Sequence, residues 1–111
     1  MYKIISEQAI HQYFGDDDPE MIIEMIQIIL STNIHDLKEL NHFYEQGDYS
    51  TIKKRCHKAK PSMSYIGALK TRKILEDIEA NLEQSKELNA KLQEHLNIIE
   101  SELHQFLKSL S

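Results

Sequence analysis

The chain has 111 residues, of which 18 are acidic and 13 are basic, so its formal net charge is −5. A hydrophobic fraction of 41% is enough for one packed core, and 3 glycines and 2 prolines are too few for a collagen-like or low-complexity chain. We expect a single domain over residues 1–111, which is too short for a complete ATP-binding kinase domain or a two-domain oxidoreductase.

The single cysteine, Cys56, excludes an internal disulfide and a multi-cysteine zinc site, and it fits a reducing compartment. The most apolar stretch, residues 21–30, is interrupted by Glu24 and Gln27 and is too short and too polar to span a bilayer. The apolar run at the N-terminus ends at Ser6, which does not fit a signal peptide. We therefore expect a cytoplasmic protein with no direct membrane contact.

Helical periodicity dominates the first half of the chain. Ser6 is the predicted cap of a short helix that ends at Gly15. Asp18 is the predicted cap of a long helix that ends at Gly47. Apolar residues recur every three or four positions along this second segment, which predicts one buried face. The face consists of Ile22, Met25, Ile26, Ile29, Leu37, Leu40 and Tyr44, with Asn33 as a polar interruption.

The second half predicts three more helices. Asp48 caps the first of them, Gly67 ends it, and Ser85 caps the last, which runs to Leu110. Short connections between four amphipathic helices predict an all-α fold, an antiparallel up-down four-helix bundle over about residues 18–110. We expect the short N-terminal helix to pack over one end, and the closed bundle to be a monomer.

A basic segment interrupts this acidic chain between residues 49 and 75. It contains eight basic residues and no acidic residue. Such a charge run is usually a solvated helix face, but the complete absence of acids favours an anionic partner. Nucleic acid is not expected, because the net charge is negative and interleaved aromatic residues are lacking. The basic residues are Lys53, Lys54, Arg55, Lys58, Lys60, Lys70, Arg72 and Lys73.

His57 is the candidate nucleophile of this segment. The predicted apolar stripe of its helix consists of Ile52, Cys56, Ala59, Met63 and Ile66. His57 lies just beside this stripe, on a face that it shares with Lys53, Lys60 and Ser64, and neighbouring cations favour its neutral form. A neutral imidazole can accept a phosphoryl group, but the same spacing also fits an ordinary surface histidine. Cys56 lies on the stripe itself, so we expect it to be a small core residue that does not face His57. The six histidines form no pair at i, i+4, so no metal site is predicted.

The segment His57-Lys58-Ala59-Lys60-Pro61-Ser62, followed by Ile66-Gly67-Ala68, resembles the histidine phosphotransfer (HPt) motif. That motif reads roughly His-x-x-Lys-Gly-(Ser/Ala), with an aliphatic residue, glycine and a small residue further on. The resemblance extends over about residues 16–110, because Asp18-Pro19-Glu20 opens a long helix and Gly47-Asp48 precedes the histidine helix.

The resemblance implies a four-helix phosphocarrier of two-component phosphorelays, not an enzyme. It implies that His57 is the phosphoacceptor, at Nε2, and that Lys60 stabilises the phosphoryl charge. The partners would be receiver domains of response regulators and a hybrid sensor histidine kinase. The chain itself would need no cofactor, since Mg²⁺ is expected on the receiver. The expected partner-binding residues are Lys53, Lys54, Lys58, Pro61, Ser62, Ser64 and Gly67, with Arg72 as a further steering charge.

Pro61 departs from the family pattern, which usually has glycine there. Proline removes a backbone donor and disfavours the helical conformation of the preceding residue, so we predict a kink after His57 and a displaced Lys60. The alternative function is therefore a degenerate HPt-like helical module that binds receivers without phosphotransfer.

Overall fold

Helices account for all the regular secondary structure of the computed structural model, which describes all 111 residues. The molecule contains no strand, and its principal extents are 44 × 20 × 19 Å. The helices are α1 (Glu7–Phe14), α2 (Pro19–Ile29), a π-helix (Leu30–Ile34), α3 (His35–Lys38), α4 (Leu40–Gln46), α5 (Tyr49–Tyr65), α6 (Leu69–Ala80), a 3₁₀ helix (Leu82–Gln84) and α7 (Lys86–Leu110).

Three of the predicted helix caps are confirmed. In each, a side-chain oxygen accepts a hydrogen bond from the backbone N–H three residues later, which satisfies one of the free donors of the first turn. Glycines with positive φ end α1 and α4 and follow α5. The caps are Ser6 with Ala9 at 3.2 Å, Asp18 with Met21 at 3.1 Å and Asp48 with Thr51 at 3.2 Å.

Ser85 lies at the predicted start of α7, but the prediction that its side chain caps the helix is wrong. Its hydroxyl donates to the Leu82 carbonyl at 2.7 Å and is 2.6 Å from the Tyr44 hydroxyl. Ser85 has φ −97° and ψ 7°, so its backbone is not in the extended conformation typical of a capping residue. The buried hydroxyl therefore joins α7 to α4.

The long second helix is not a regular α-helix. Residues 19–46, here called the α2–α4 rod, contain the π-helix and a break at Glu39. A π turn adds one residue to the helical repeat, and it places Ile34 rather than Asn33 in the core. Asn33 instead accepts a hydrogen bond from the buried Ser62 hydroxyl of α5 at 2.6 Å.

Pro61 lies inside α5 without ending it. The helix runs from Tyr49 to Tyr65, so α5 continues past the position of the kink predicted after His57. The ring still removes the N–H that would bond to the His57 carbonyl. The predicted apolar stripe of α5 is confirmed, because Ile52, Cys56, Ala59, Met63 and Ile66 are all buried.

Polar contacts tie the α2–α4 rod to α5 and α7 around one core of 22 buried apolar residues. Arg55 donates to the Asp36 carbonyl at 2.9 Å, and Lys38 forms an ion pair with Glu100 at 3.0 Å. The buried Asn89 of α7 donates to Asn41 at 2.7 Å. These contacts fix the faces that the helices turn toward one another.

A buried carboxylate anchors the N-terminal segment on α7. The Glu102 carboxylate accepts hydrogen bonds from the backbone N–H groups of Lys3, Ile4 and Ile5, the last two at 2.9 and 3.1 Å. The Ser6 N–H continues the attachment by donating to the Ile66 carbonyl at 2.8 Å. Residues 3–6 thereby connect α7 to the end of α5.

None of the helices combines the length and the hydropathy that crossing a lipid bilayer requires.

Candidate functional site

His57 projects from α5 with 74% of its side chain exposed. It lines a shallow surface depression together with Lys53, Lys54 and Glu79. The amphipathic repeat of α5 explains this placement, since Cys56 on one side of His57 and Ala59 beyond it are buried. An exposed imidazole in an open depression is accessible to a macromolecular partner.

Glu79 of α6 lies between His57 and Lys60. Its Oε2 is 3.6 Å from His57 Nδ1, and its Oε1 is 3.1 Å from Lys60 Nζ. The first distance is too long for a hydrogen bond and is an electrostatic contact. The second pair is close, but its angles are not those of a hydrogen bond, so the buried Oε1 has no hydrogen-bond donor. The Glu79 and Lys60 side chains are only 15% and 19% exposed.

Glu79 is the functional candidate that the sequence analysis missed. The sequence does contain a spacing that points to Glu79, because α5 and α6 are joined by a short turn at residues 66–68. His57 and Glu79 each lie eleven residues from Ala68, and Ser64 and Arg72 each lie four residues from it. Residues at equal distances from a tight interhelical turn lie at about the same height along the two antiparallel helices. Counting from this turn therefore places Glu79 at the height of His57, and the structure shows that the two side chains are in contact.

The exposed residues around His57 form a continuous surface on α5. We call it the His57 surface, and it comprises the exposed Lys53, Lys54, His57, Lys58 and Pro61. The expected partner-binding lysines all belong to it. Lys60 does not, because its ammonium group turns toward Glu79.

Three expected partner-binding residues, Ser62, Ser64 and Gly67, are not part of the His57 surface. Ser62 is 8% exposed, and its hydroxyl is bonded to Asn33, so it joins α5 to the rod. Gly67 has φ +75°, and a Cβ built on it would lie 2.4 Å from the Ser6 Cβ. Glycine at position 67 is thus required by the N-terminal segment and by its own backbone conformation. Ser64 is half-buried and accepts a hydrogen bond from Arg72.

The basic segment is partly neutralised by acids from outside it. Arg55 pairs with Glu39 at 2.9 Å, and Lys73 pairs with Asp77 at 3.1 Å. Lys60 pairs with Glu79, as described above. Positive charge without an acidic partner remains on Lys53, Lys54, Lys58, Lys70 and Arg72.

Cys56 is not a nucleophile in this fold. It is fully buried, and burial raises the pKa of its thiol to about 12, with the nearby Glu79 carboxylate adding to the shift. The reactive form of cysteine is the thiolate, which such a pKa suppresses at neutral pH. The expectation that Cys56 is a small core residue is confirmed.

A second polar cluster lies at the break in the α2–α4 rod. His35, Asp36 and Glu39 each offer one ligand atom, and these atoms lie within 4.8 Å of one another. The hydrogen bond from Arg55 lowers the pKa of the Glu39 carboxyl. We assign no metal to this cluster, because the guanidinium of Arg55 already binds the Glu39 carboxylate.

Comparison of the chain with models of protein families, with curated proteins and with solved structures gave no match. The functional argument therefore depends on the HPt-like motif and on the geometry around His57.

Proposed function

We propose that this protein is a histidine phosphotransfer carrier, which accepts a phosphoryl group on His57 from the aspartyl phosphate of one receiver domain and passes it to another. The observation that carries the proposal is the exposed His57 imidazole, with the Lys60 ammonium group one helical turn away and unpaired lysines beside it. The HPt-like motif contains the same histidine and lysine.

The transfer is a displacement at phosphorus. The Nε2 lone pair of His57 forms the new N–P bond, the P–O bond to the receiver aspartate breaks, and its electron pair stays on the carboxylate. Because Glu79 faces Nδ1, Nε2 is the nitrogen left for the reaction. Such a step requires positioning and charge stabilisation, and we expect the receiver to supply Mg²⁺ and this chain to supply its cations.

Charge on the His57 surface supports a receiver as the partner. The metal-binding pocket of a receiver is acidic, whereas Lys53, Lys54 and Lys58 have no acidic partner in this molecule. Opposite potentials accelerate encounter and fix the orientation of docking. The hybrid sensor kinase of such a relay carries a receiver of the same kind, and it would dock on the same surface.

The contacts between helices support the up-down four-helix bundle that such a monomeric carrier requires. From Asn33 to Asp36 of the α2–α4 rod, the contacting residue of α5 moves back from Ser62 to Arg55. From Lys38 to Tyr44, the contacting residue at α7 moves back from Glu100 to Ser85. When residue numbers rise along one helix and fall along its contact partner, the two helices are antiparallel. Contacts between α5 and α6 follow the same rule.

Two observations favour the alternative, a degenerate module that binds receivers without phosphotransfer. Lys60, the residue that would neutralise the phosphoryl group, is already paired with Glu79. Pro61 also replaces the glycine whose absent side chain would allow close approach. Both functions require a receiver on the His57 surface, and only phosphotransfer requires the imidazole itself.

The test is to mix the chain with several receiver domains charged by a small phosphodonor and Mg²⁺, and to record intact mass at alkaline pH. His57→Gln removes the nucleophile, while His104→Gln removes an exposed histidine of α7 as a matched control. We expect one added phosphoryl group in the wild type and in His104→Gln, none in His57→Gln, and loss of the group on acidification.

Absence of transfer from every receiver would contradict the carrier function. Salt-sensitive binding of a receiver that persists in His57→Gln would then establish the degenerate module.

A further inference from the structure

We infer that Glu79 makes a phosphoryl group on His57 more labile, because it competes for the cation that would hold the group and repels the group itself; this inference rests on the proposed function. Glu79 is an acid beneath a site that is otherwise cationic. Its carboxylate is in contact with both residues that the motif assigns to phosphotransfer, His57 and Lys60.

Glu79 opposes the phosphoryl group in two ways. First, it competes for the Lys60 ammonium group, which lies 3.1 Å from Oε1 in the structure. A phosphoryl group on His57 must draw this cation away from a carboxylate that is largely shielded from water, where charges interact more strongly. Second, the carboxylate and the phosphoryl group are like charges on either side of one imidazole ring.

Glu79 also favours the form of the ring from which the phosphoryl group departs. After transfer to Nε2, a proton on Nδ1 leaves the imidazole ring positively charged. The Glu79 carboxylate, 3.6 Å from Nδ1, stabilises that cation. When the N–P bond breaks, its electron pair returns to Nε2 and neutral imidazole leaves, while the acceptor oxygen of a receiver aspartate or of water forms the new bond to phosphorus.

Each of these three effects shortens the lifetime of phosphohistidine, so removal of the Glu79 charge should lengthen it. The interaction of a unit charge with a phosphoryl group over about 6 Å in a water-like dielectric corresponds to a change of about three- to tenfold in the rate at which the group is lost. Lys60 has the opposite role, because it neutralises both the phosphoryl group and Glu79. Its removal should make phosphohistidine less stable.

The test measures the half-life of phosphohistidine on the full chain, labelled with phosphoramidate, which phosphorylates imidazole nitrogens without a receiver. Glu79→Gln keeps the shape of the side chain and removes its charge, and Glu79→Asp keeps the charge. Glu100→Gln is the matched control, because Glu100 is also paired with a lysine but belongs to α7. Lys60→Gln tests the opposite sign.

We expect Glu79→Gln to lengthen the half-life by about three- to tenfold and Lys60→Gln to shorten it. Glu79→Asp and Glu100→Gln should stay within about twofold of the wild type. A purely structural role would make both the Glu79→Gln and the Lys60→Gln proteins less stable and would move their half-lives in the same direction.

An unchanged half-life in Glu79→Gln, an equal effect of Glu100→Gln, or a common direction for Glu79→Gln and Lys60→Gln would overturn the inference and leave the carrier function standing. A wild-type chain that is phosphorylated neither by phosphoramidate nor by any receiver would overturn the carrier function itself, and this inference with it.

Discussion

Cys56 and His57 are neighbours in sequence and opposites in environment. The thiol is fully buried, whereas the imidazole is 74% exposed. Adjacent side chains on a helix point about 100° apart, so the apolar repeat of α5 determines which of the two faces solvent. The sequence alone was sufficient for this distinction, because it depends only on helical periodicity.

The burial of Cys56 predicts an unreactive thiol. Because the pKa of this thiol is about 12, the native protein should react with iodoacetamide at pH 8 at least about a hundredfold more slowly than free cysteine. Reaction should become fast in urea, where the chain is unfolded. Mass spectrometry of the alkylated protein measures both rates, and rapid modification under native conditions would show that the core around α5 opens readily.

The surroundings of His95 in α7 predict that the free energy of unfolding depends on pH. Its Nδ1 is 2.8 Å from the buried Thr71 hydroxyl. Burial lowers the pKa of the imidazole, and Lys91 adds to the shift. The folded state therefore binds fewer protons than the unfolded state around pH 6, so the free energy of unfolding should fall as the pH falls from 7.5 to 5. Urea unfolding across this range measures the slope.

Replacement of His95 should reduce that slope. His95→Gln removes the perturbed imidazole, whereas His42→Gln removes an exposed imidazole of α4 and serves as the control. A slope that persists unchanged in His95→Gln would assign the pH dependence to other groups.

At the scale of the element, the α2–α4 rod was the part that the sequence predicted least well. Its ends were correct, because Asp18 and Gly47 carry local signals. The π-helix carries no such signal, since its extra residue is stabilised by tertiary contacts: Ile34 enters the core and Asn33 bonds to Ser62. Glu79 was missed for the related reason that its role exists only between two packed helices.

Pro61 lowers the stability of α5, so we expect a substitution at this position to stabilise the fold. Pro61→Ala restores the N–H that the His57 carbonyl lacks and removes the ring from an exposed position. We expect the free energy of unfolding to rise by about 1–3 kcal/mol, measured by urea denaturation. Lys58→Ala, at a neighbouring exposed position, is the control and should change it by less than about 0.5 kcal/mol.

A decrease in stability for Pro61→Ala would mean that the surroundings of α5 have adapted to the proline ring. Faster phosphotransfer in Pro61→Gly than in Pro61→Ala would separate the approach of a partner from helix stability.

At the scale of the whole molecule, the Glu102 carboxylate links the two ends of the described chain. It accepts hydrogen bonds from three successive backbone N–H groups while being only 8% exposed. No periodicity of the sequence predicts this role, because Glu102 follows the polar pattern of α7 and its partners belong to an irregular segment. The general layout of helices was predictable from local patterns, and this long-range attachment was not.

Glu102→Ala should release the N-terminal segment. Three buried or half-buried N–H groups would lose a charged acceptor, so we expect the free energy of unfolding to fall by at least about 2 kcal/mol. Hydrogen exchange should become faster at Lys3, Ile4 and Ile5, and at the Ser6 N–H that bonds to Ile66. Glu102→Gln keeps one acceptor oxygen and should have a smaller effect, and unchanged exchange in Glu102→Ala would contradict this attachment.

The attachment also sets an order for events during synthesis on the ribosome. The α5–α6 hairpin consists of near neighbours in sequence and can pack as soon as it leaves the exit tunnel. Residues 3–5 are made before this hairpin, yet their anchor lies 97–99 positions later in the chain. A segment translated before all the helices of this bundle is thus the last to dock, and until then Gly67 and the neighbouring end of α5 lack the cover that Ser6 provides.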